Sequence, residues 1–457
     1  MLFQTWTFFI FFTLLYLLFR IIRGPEARGY LVLFASLIFY AWWNPWYIFL
    51  ILWIITADYT VVFLMERYGR RRPILAVSVI NSILVLGFFK YAGFLADSIN
   101  YLFAAAGTGT AVSRPEIILP AGISFYIFIS LGYVFDYYYG NTEREKSWFS
   151  YALFVSFFPQ IIAGPICRAS MMLPQFKLFR GPSADDTAEG IYLFTRGIFR
   201  KIVLADYFAL YADRIFGNPA QFASADLALG DLAFTWQIYF DFSGYTDMAR
   251  GIARMFGIDL MENFRLPYMA CGTREFWQRW HISLSSWFGD FVYKPLGGNR
   301  SGRLKESRNI ITTMLLSGLW HGAAWNFLLW GLIHGILHSM SKAAGRFSIT
   351  GRVPVFAKRI FTFIIVVFTW IFFRSENAAD AFTFITGIFS FSAGVPAAPL
   401  LMIMLMVVCY ALHWLAEYRW LRFMERPTAR GFAVAAMVLC LLFVSSSRVS
   451  GFIYQQF

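Results

Sequence analysis

Long apolar runs are the feature that most limits what this chain can fold into. Roughly ten to twelve stretches approach the ~20 apolar residues that carry a helix across ~30 Å of hydrocarbon. The first candidate is Leu2 to Phe19 and the last is Phe432 to Val444. Lipid offers backbone groups no hydrogen-bond partner, so spanning segments must be helices or strands of a closed barrel. The runs lack the strict alternation of barrel strands, which selects helices. Composition agrees: 59% of residues are hydrophobic and 14% charged, against about a quarter charged in soluble domains. The expected class is an all-α polytopic membrane protein, resident in the membrane at every pass.

The opening run, "MLFQTWTFFIFFTLLYLLFR", has no basic residue ahead of its apolar part and no small-residue cleavage pattern behind it. It reads as a retained span rather than a signal peptide. Net charge is +13, and much of the Lys and Arg sits in short loops, the pattern of loops kept in the cytoplasm. A nucleic-acid partner is therefore not expected. Cys167, Cys271, Cys409 and Cys440 are scattered singly, without zinc or CxxC spacing. They read as small apolar residues.

Arg20, Arg23 and Arg28 form one basic cluster and Arg67, Arg70, Arg71 and Arg72 the next. Both belong on the cytoplasmic side by the same rule, so the chain between them goes in and returns, and the N-terminus lies outside. Asn44 and Pro45 in "AWWNPWY" break that apolar run. Each half is short for a crossing, so a shallow or re-entrant hairpin is expected there. Crossings are expected over 74–95, 117–139, 192–211 and 231–255, then helical stretches over 309–340, 355–373 and 400–417. In "KLFRGPSADDTAEG" (Lys177 to Gly190), Ser183 followed by Asp185 and Asp186 predicts a helix start. Residues 261–308 differ in kind, mixing aromatic and charged residues with Gly and Pro, and should lie along the interface or re-enter the bundle.

Ionisable groups inside a span are costly and by default face a pathway or a site. His321, in "LLSGLWHGAAWNFLLWG" (Leu315 to Gly331), stands in the middle of an apolar run. Gly318 with Gly322, and Gly331 with Gly335, are small-xxx-small pairs that permit close helix approach. His321 is either a base near neutral pH or a structural ring bonded to a neighbouring helix. His281, also preceded by tryptophan, lies among Arg274, Glu275 and Arg279; it is either a second functional imidazole or an interfacial histidine in contact with water. His334 and His338 have ligand spacing, but no carboxylate or cysteine completes a set, so no metal is expected. His413 reads as structural. Asp241 and Asp247 either orient a histidine, bind a polar acceptor, or pair with Arg250 or Arg254 to fix helices. There is no GxSxG elbow and no nucleotide-binding glycine motif.

Four motifs in series carry a resemblance: "FFPQIIAGPICR" (Phe157 to Arg168), "FDFSGYTDMARG" (Phe240 to Gly251), "FWQRWHISLSSWF" with "PLGGNR" (Phe276 to Arg300), and "LWHGAAWNFLLWG" (Leu319 to Gly331). Together they resemble the membrane-bound O-acyltransferases, in particular the bacterial branch typified by alginate O-acetyltransferase, over roughly residues 120–340. The resemblance implies ten to twelve membrane helices with re-entrant or interfacial helices around a central tunnel. No fixed-period repeat or low-complexity tail divides the sequence, so one membrane domain over 1–457 is the simplest division, with N-terminal helices in 1–116, an acyltransferase core carrying these motifs in 117–340 and C-terminal helices in 341–457. The resemblance also implies that His321 is the catalytic histidine and that His281 matches the family's second functional position. Arg168, Asp241 and Asp247 lie in the motifs without an implied role.

The function so implied is O-acetyl transfer. Acetyl-CoA is the expected cytoplasmic donor, with no bound cofactor and no metal. The acceptor is an exported, alginate-like polysaccharide, reached with a periplasmic acetyltransferase partner, and the location is the bacterial cytoplasmic membrane. A dry passage with a base at its narrowest point would shield an activated acyl group from hydrolysis, and His321 would take the acceptor's proton. The basic residues Lys294, Arg300, Arg303, Lys305 and Arg308 either attract donor phosphates or only mark the cytoplasmic side. The alternatives are D-alanyl transfer to teichoic acid, peptidoglycan O-acetylation, or a proton-coupled transporter or flippase. The last should show two similar halves, and none is visible in the sequence.

Overall fold

The computed structural model describes residues 1–300, 302–346, 353–394 and 397–444. Every regular element among them is a helix. They gather into two compact units, one of Met1–Phe194 with Met248–Met261, the other of Thr195–Asp247 and the chain from Glu262 onward.

The first unit holds α1 (Trp6–Ile21), α2 (Pro25–Ala41), α3 (Tyr47–Tyr68), α4 (Arg72–Leu86), α5 (Ala92–Ala105), α6 (Ile123–Tyr139), α7 (Trp148–Ser156), α8 (Phe158–Ile161), α9 (Ala169–Leu178) and most of α10 (Ala184–Ile198). A π-helical turn over Gly87–Tyr91 joins α4 to α5, giving one continuous rod. Phe8, Phe39, Phe158 and Phe256 meet ring to ring in the core, with Phe158 5.3 Å from Phe39 and 6.1 Å from Phe256. The carboxylate of Asp58, buried on α3, accepts hydrogen bonds from Ser78 and Ser130, both at 2.6 Å, which meets the cost of burying it. The start of α10 forms as the sequence predicts: Ser183 Oγ accepts from the Asp186 amide at 3.0 Å, and Asp186 Oδ2 accepts from the Ser183 amide at 3.0 Å. The turn at Asn44 is present, its side chain accepting from the Trp46 amide at 3.1 Å. Its second arm is not short, however: α3 runs 22 residues, because the helix continues through Arg67 rather than ending with the apolar run.

The second unit continues from Thr195 through a π-helical turn, Phe199–Ala205. It then holds α11 (Asp206–Gly217), most of α12 (Ser224–Met255), α13 (Thr273–Arg279), α14 (Ile282–Phe288), α15 (Arg303–His321), α16 (Trp325–Arg346), α17 (Val355–Arg374), α18 (Ala378–Phe389), α19 (Leu400–Glu417) and α20 (Pro427–Val444). Among the described residues four rods are long and apolar enough to cross a membrane unaided: α3, the α4–α5 rod, α17 and α19. The apolar helices α1 and α18, and Pro427–Phe443 within α20, are shorter. The protein is thus a helical membrane protein.

The aspartates of α12 do fix helices, but with partners other than Arg250 and Arg254. Arg196 forks onto Asp247 at 2.9 and 2.8 Å and Arg200 adds a contact of 2.6 Å. Lys201 bridges Asp241 at 2.7 Å and Asp206 at 3.0 Å, all three buried. Arg254 pairs instead with Asp186 at 2.9 Å in the first unit. Full burial of the Lys201 group is tolerable because the charge is matched on two sides.

Candidate active site

The site starts from the α15–α16 hairpin. A Cβ added at Gly318 would stand 2.2 Å from the Phe327 carbonyl oxygen, and one at Gly331 2.4 Å from that of Met314. Backbone therefore packs on backbone, as the glycine spacing predicts. His321 is not in the middle of a helix. It is the last residue of α15, because Gly322 turns to extended backbone (φ −162°, ψ 151°) and α16 begins only at Trp325. The helical stretch expected over 309–340 is two helices, and the apolar run hides the break.

His281 arrives by a different route. Between α13 and α14 it adopts left-handed backbone, φ 43° and ψ 54°, a conformation uncommon for residues other than glycine. Asn263 holds this turn. Its carbonyl accepts from the Ile282 amide at 3.0 Å, and its side-chain oxygen accepts from the Ser283 amide at 3.1 Å and the Ser283 hydroxyl at 3.0 Å. Arg279, at the end of α13, forks onto Glu417 of α19 at 2.8 and 2.9 Å, and Arg359 of α17 joins the same carboxylate at 3.1 Å. Nothing in the sequence marks Asn263, a lone polar residue in "MENFRLP" that belongs to no motif.

The two imidazoles meet inside the unit, with ring centroids 6.5 Å apart. His281 is 0% and His321 2% exposed. His281 is thus no interfacial ring in water: residues 276–284 fold into the protein, with Phe242 at 4.7 Å and Trp320 at 5.7 Å from its ring. Burial drives the His281 imidazole down to about 3, so it is neutral at physiological pH. The His321 ring is caged by Trp320 at 5.0 Å, Trp330 at 5.1 Å and Phe373 at 5.2 Å. Two imidazoles at this separation can both touch one small bound group, and an imidazole can accept a proton from a hydroxyl.

A cavity of about 400 Å³ approaches this pair. One wall is a stripe of α15, Ile310, Thr313, Met314 and Ser317, at the i, i+3, i+4, i+7 spacing of one helix face. His321 is the next residue along that face. Ile282, adjacent to His281, lines it as well. Arg274, His338 and Lys342 also border the cavity, and Lys342 is ion-paired with buried Glu306 near the start of α15. The cavity therefore has basic residues at the end near the start of α15, and its lining along α15 ends at Ser317, one turn short of His321. Exposed Lys294, Arg303, Lys305 and Arg308 lie at that basic end too, and Lys294 pairs with Asp290 at 2.6 Å.

The other candidates fall elsewhere. His334 is fully buried between Trp277 at 5.1 Å and Trp330 at 4.8 Å, while His338 faces the cavity. No group of three or more His, Cys, Asp or Glu residues suited to a metal occurs among the described residues. The Nδ1 atom of His413 is 3.0 Å from the Cys409 carbonyl oxygen, and its ring packs on Trp236 and Tyr239. Arg168 contacts Asp136 at 3.6 Å in the first unit. All four cysteines are unbridged, Cys167 and Cys409 buried.

Comparison with known proteins identifies the family. The profile of the MBOAT, or membrane-bound O-acyltransferase, family matches residues 144–375, just over half of the chain. The probable alginate O-acetylase AlgI of Pseudomonas aeruginosa is 40% identical over 376 residues, 81% of this chain and 71% of that protein. The chain belongs to the membrane-bound O-acyltransferase family. It is accordingly a membrane-embedded O-acyltransferase, which sets aside the transporter reading. The peptidoglycan O-acetyltransferase of Helicobacter pylori is 36% identical over 398 residues, covering 80% of this chain and 74% of that protein. The teichoic acid D-alanyltransferase of Bacillus subtilis is 28% identical over 229 residues, covering 47% and 57%. His281 and His321 both lie within the matched residues.

Proposed function

We propose that this acyltransferase moves an acetyl group from cytoplasmic acetyl-CoA toward hydroxyls of an exported, alginate-like polysaccharide, with His321 as general base and His281 beside it. The bacterial cytoplasmic membrane is its place of work, and a periplasmic acetyltransferase is its partner in delivery. What supports the reading is a cavity with basic residues in its lining whose wall includes Ser317, one helical turn before His321, and Ile282, next to His281, the two imidazoles themselves lying just behind that wall 6.5 Å apart. Along α15, Ile310 to His321 is eleven residues, about 16 Å of helix rise. The pantetheine arm of coenzyme A has an extended reach comparable to between four and five peptide residues, roughly 15 Å. A donor whose phosphates rest among Arg274, His338 and Lys342 would direct its thioester along this wall toward His321.

The chemistry follows from that placement. The acceptor oxygen attacks the thioester carbonyl while His321 takes its proton, the new C–O bond forms, and the C–S bond breaks. The imidazolium then returns the proton to the leaving thiolate. Base catalysis of this kind contributes typically 10² to 10⁴ in rate. The relatives named for alginate and for peptidoglycan O-acetylation support acetyl as the group and an envelope polysaccharide as the acceptor. The relative named for D-alanyl transfer matches under half of the chain.

The test is His321→Ala in membrane vesicles supplied with labelled acetyl-CoA on the cytoplasmic face. Acetyl transfer should vanish while the protein stays inserted and abundant. Unchanged transfer would refute the assignment of the base, and label from D-alanyl carrier protein but not from acetyl-CoA would refute the donor.

A further inference from the structure

Four hydroxyl side chains of serine and threonine line the cavity: Ser285, Ser286, Thr313 and Ser317. Three of them are already committed to backbone carbonyls. Ser285 donates to Trp280 at 3.2 Å, Ser286 to Ser283 at 2.9 Å, and Thr313 to Asn309 at 2.7 Å. Ser317 alone of the four has no hydrogen-bond partner among the described residues. A serine inside a helix commonly bonds back to the carbonyl four residues before it; this one instead leaves its hydroxyl to the cavity. The residue is 4% exposed, so what exposure it has is toward the cavity it lines. The position is also specific. Ser317 is one turn before His321 on the same face of α15, where residues four apart stand about 6 Å apart at their Cβ atoms. The other uncommitted hydroxyl of the lining, Tyr293, lies at the basic end beside Lys342, which is 5.9 Å from its ring.

We propose that Ser317 is a catalytic hydrogen-bond donor: its hydroxyl binds the carbonyl oxygen of the donor thioester and stabilises the negative charge that oxygen gains when the acceptor attacks. The inference rests on the acetyl-transfer reading with His321 as base. No proton leaves Ser317. Electrons move from the attacking oxygen to the carbonyl carbon and onto the carbonyl oxygen, and on collapse the C–S bond breaks while the thiolate takes its proton from the His321 imidazolium. Charge of this kind, developing in a site closed to water, is where one fixed donor has most effect. The two residues divide the labour: His321 acts on the acceptor, Ser317 on the donor carbonyl.

The experiment compares Ser317→Ala, Ser317→Thr and His321→Ala with wild type in the labelled acetyl-CoA vesicle assay, normalised to inserted protein. Ser317→Ala should lower kcat roughly 100-fold with KM for acetyl-CoA little changed, and Ser317→Thr, which keeps the hydroxyl, should recover most of the loss. A merely structural serine would lower the amount of folded protein and leave kcat per molecule intact, which would overturn the proposal. So would a normal kcat with a raised KM, a contact with the bound donor alone. Acetyl found covalently on Ser317 by mass spectrometry after incubation with acetyl-CoA alone would overturn it in favour of a nucleophile. If His321→Ala is inactive while Ser317→Ala is normal, only this inference falls; if His321→Ala is active, the underlying reading falls first.

Discussion

Replacing Gly318 by alanine tests whether the α15–α16 contact positions the chemistry. The new Cβ would stand 2.2 Å from the Phe327 carbonyl oxygen, and side-chain carbons essentially never come within 3.0 Å of such an atom. The helices must part locally by about 0.8 Å, since the obstacle is backbone and cannot swing aside. Overpacking of this size costs about 1–3 kcal/mol, tolerable for a helix pair packed along its whole length. The catalytic effect should be larger. His321 is three residues further on and ends the same helix, and a displacement near 1 Å costs on the order of 100-fold in rate. The assay is acetyl transfer per inserted molecule, with the melting midpoint in detergent measured alongside. Gly217→Ala is the control, because a Cβ there meets nothing within 4 Å. Full activity in Gly318→Ala at normal abundance would refute the claim that this backbone contact sets the position of His321.

Two further outcomes follow from the buried charges and the buried ring. Asp241→Asn removes one of the two carboxylates flanking Lys201 and should destabilise the protein by about 3 kcal/mol, read as a lowered melting midpoint; Asp213→Asn, whose pair with Arg374 is half exposed, should shift it by under about 1 kcal/mol, and equal shifts would contradict the reasoning. The His281 imidazole has a folded value of about 3, below the ordinary 6.5, so between those values the unfolded chain binds more protons. Its contribution is whole above pH 6.5 and is lost as pH falls toward 3. His281→Asn should therefore flatten the fall in melting midpoint between pH 7 and pH 5; identical slopes in both proteins would show that the ring is not buried neutral.

Much of the helical scaffold is legible in the chain because apolar length is the signal the membrane itself reads. Leu400–Glu417 and Val355–Arg374 stop within a residue of where their apolar runs stop, and the α10 start follows from Ser183 and Asp186. His321 was misplaced within its helix because hydrophobicity continues unbroken through Gly322, Ala323 and Ala324; only the backbone at Gly322 records the break. The partners of Asp241 and Asp247 are hidden for another reason. Arg250 and Arg254 are near in sequence, whereas Arg196, Arg200 and Lys201 are brought to α12 by packing that no local pattern encodes. The histidine pair was singled out by chemistry and motif, but its shared setting was not visible. Asn263 and Ser317 are ordinary letters whose value lies in one turn and one face.

The left-handed backbone at His281 restricts the alphabet at that point. A β-branched or bulky aliphatic side chain would be strained there by of order 1–3 kcal/mol, while Asn, Asp and Gly accept such dihedrals more readily. Functional variation at this corner is therefore biased toward that short set, whatever the reaction would prefer. Of these only Asn and Asp, like the histidine present, can still offer a polar atom beside His321, so the fold leaves the chemistry at this corner very few substitutes to choose among.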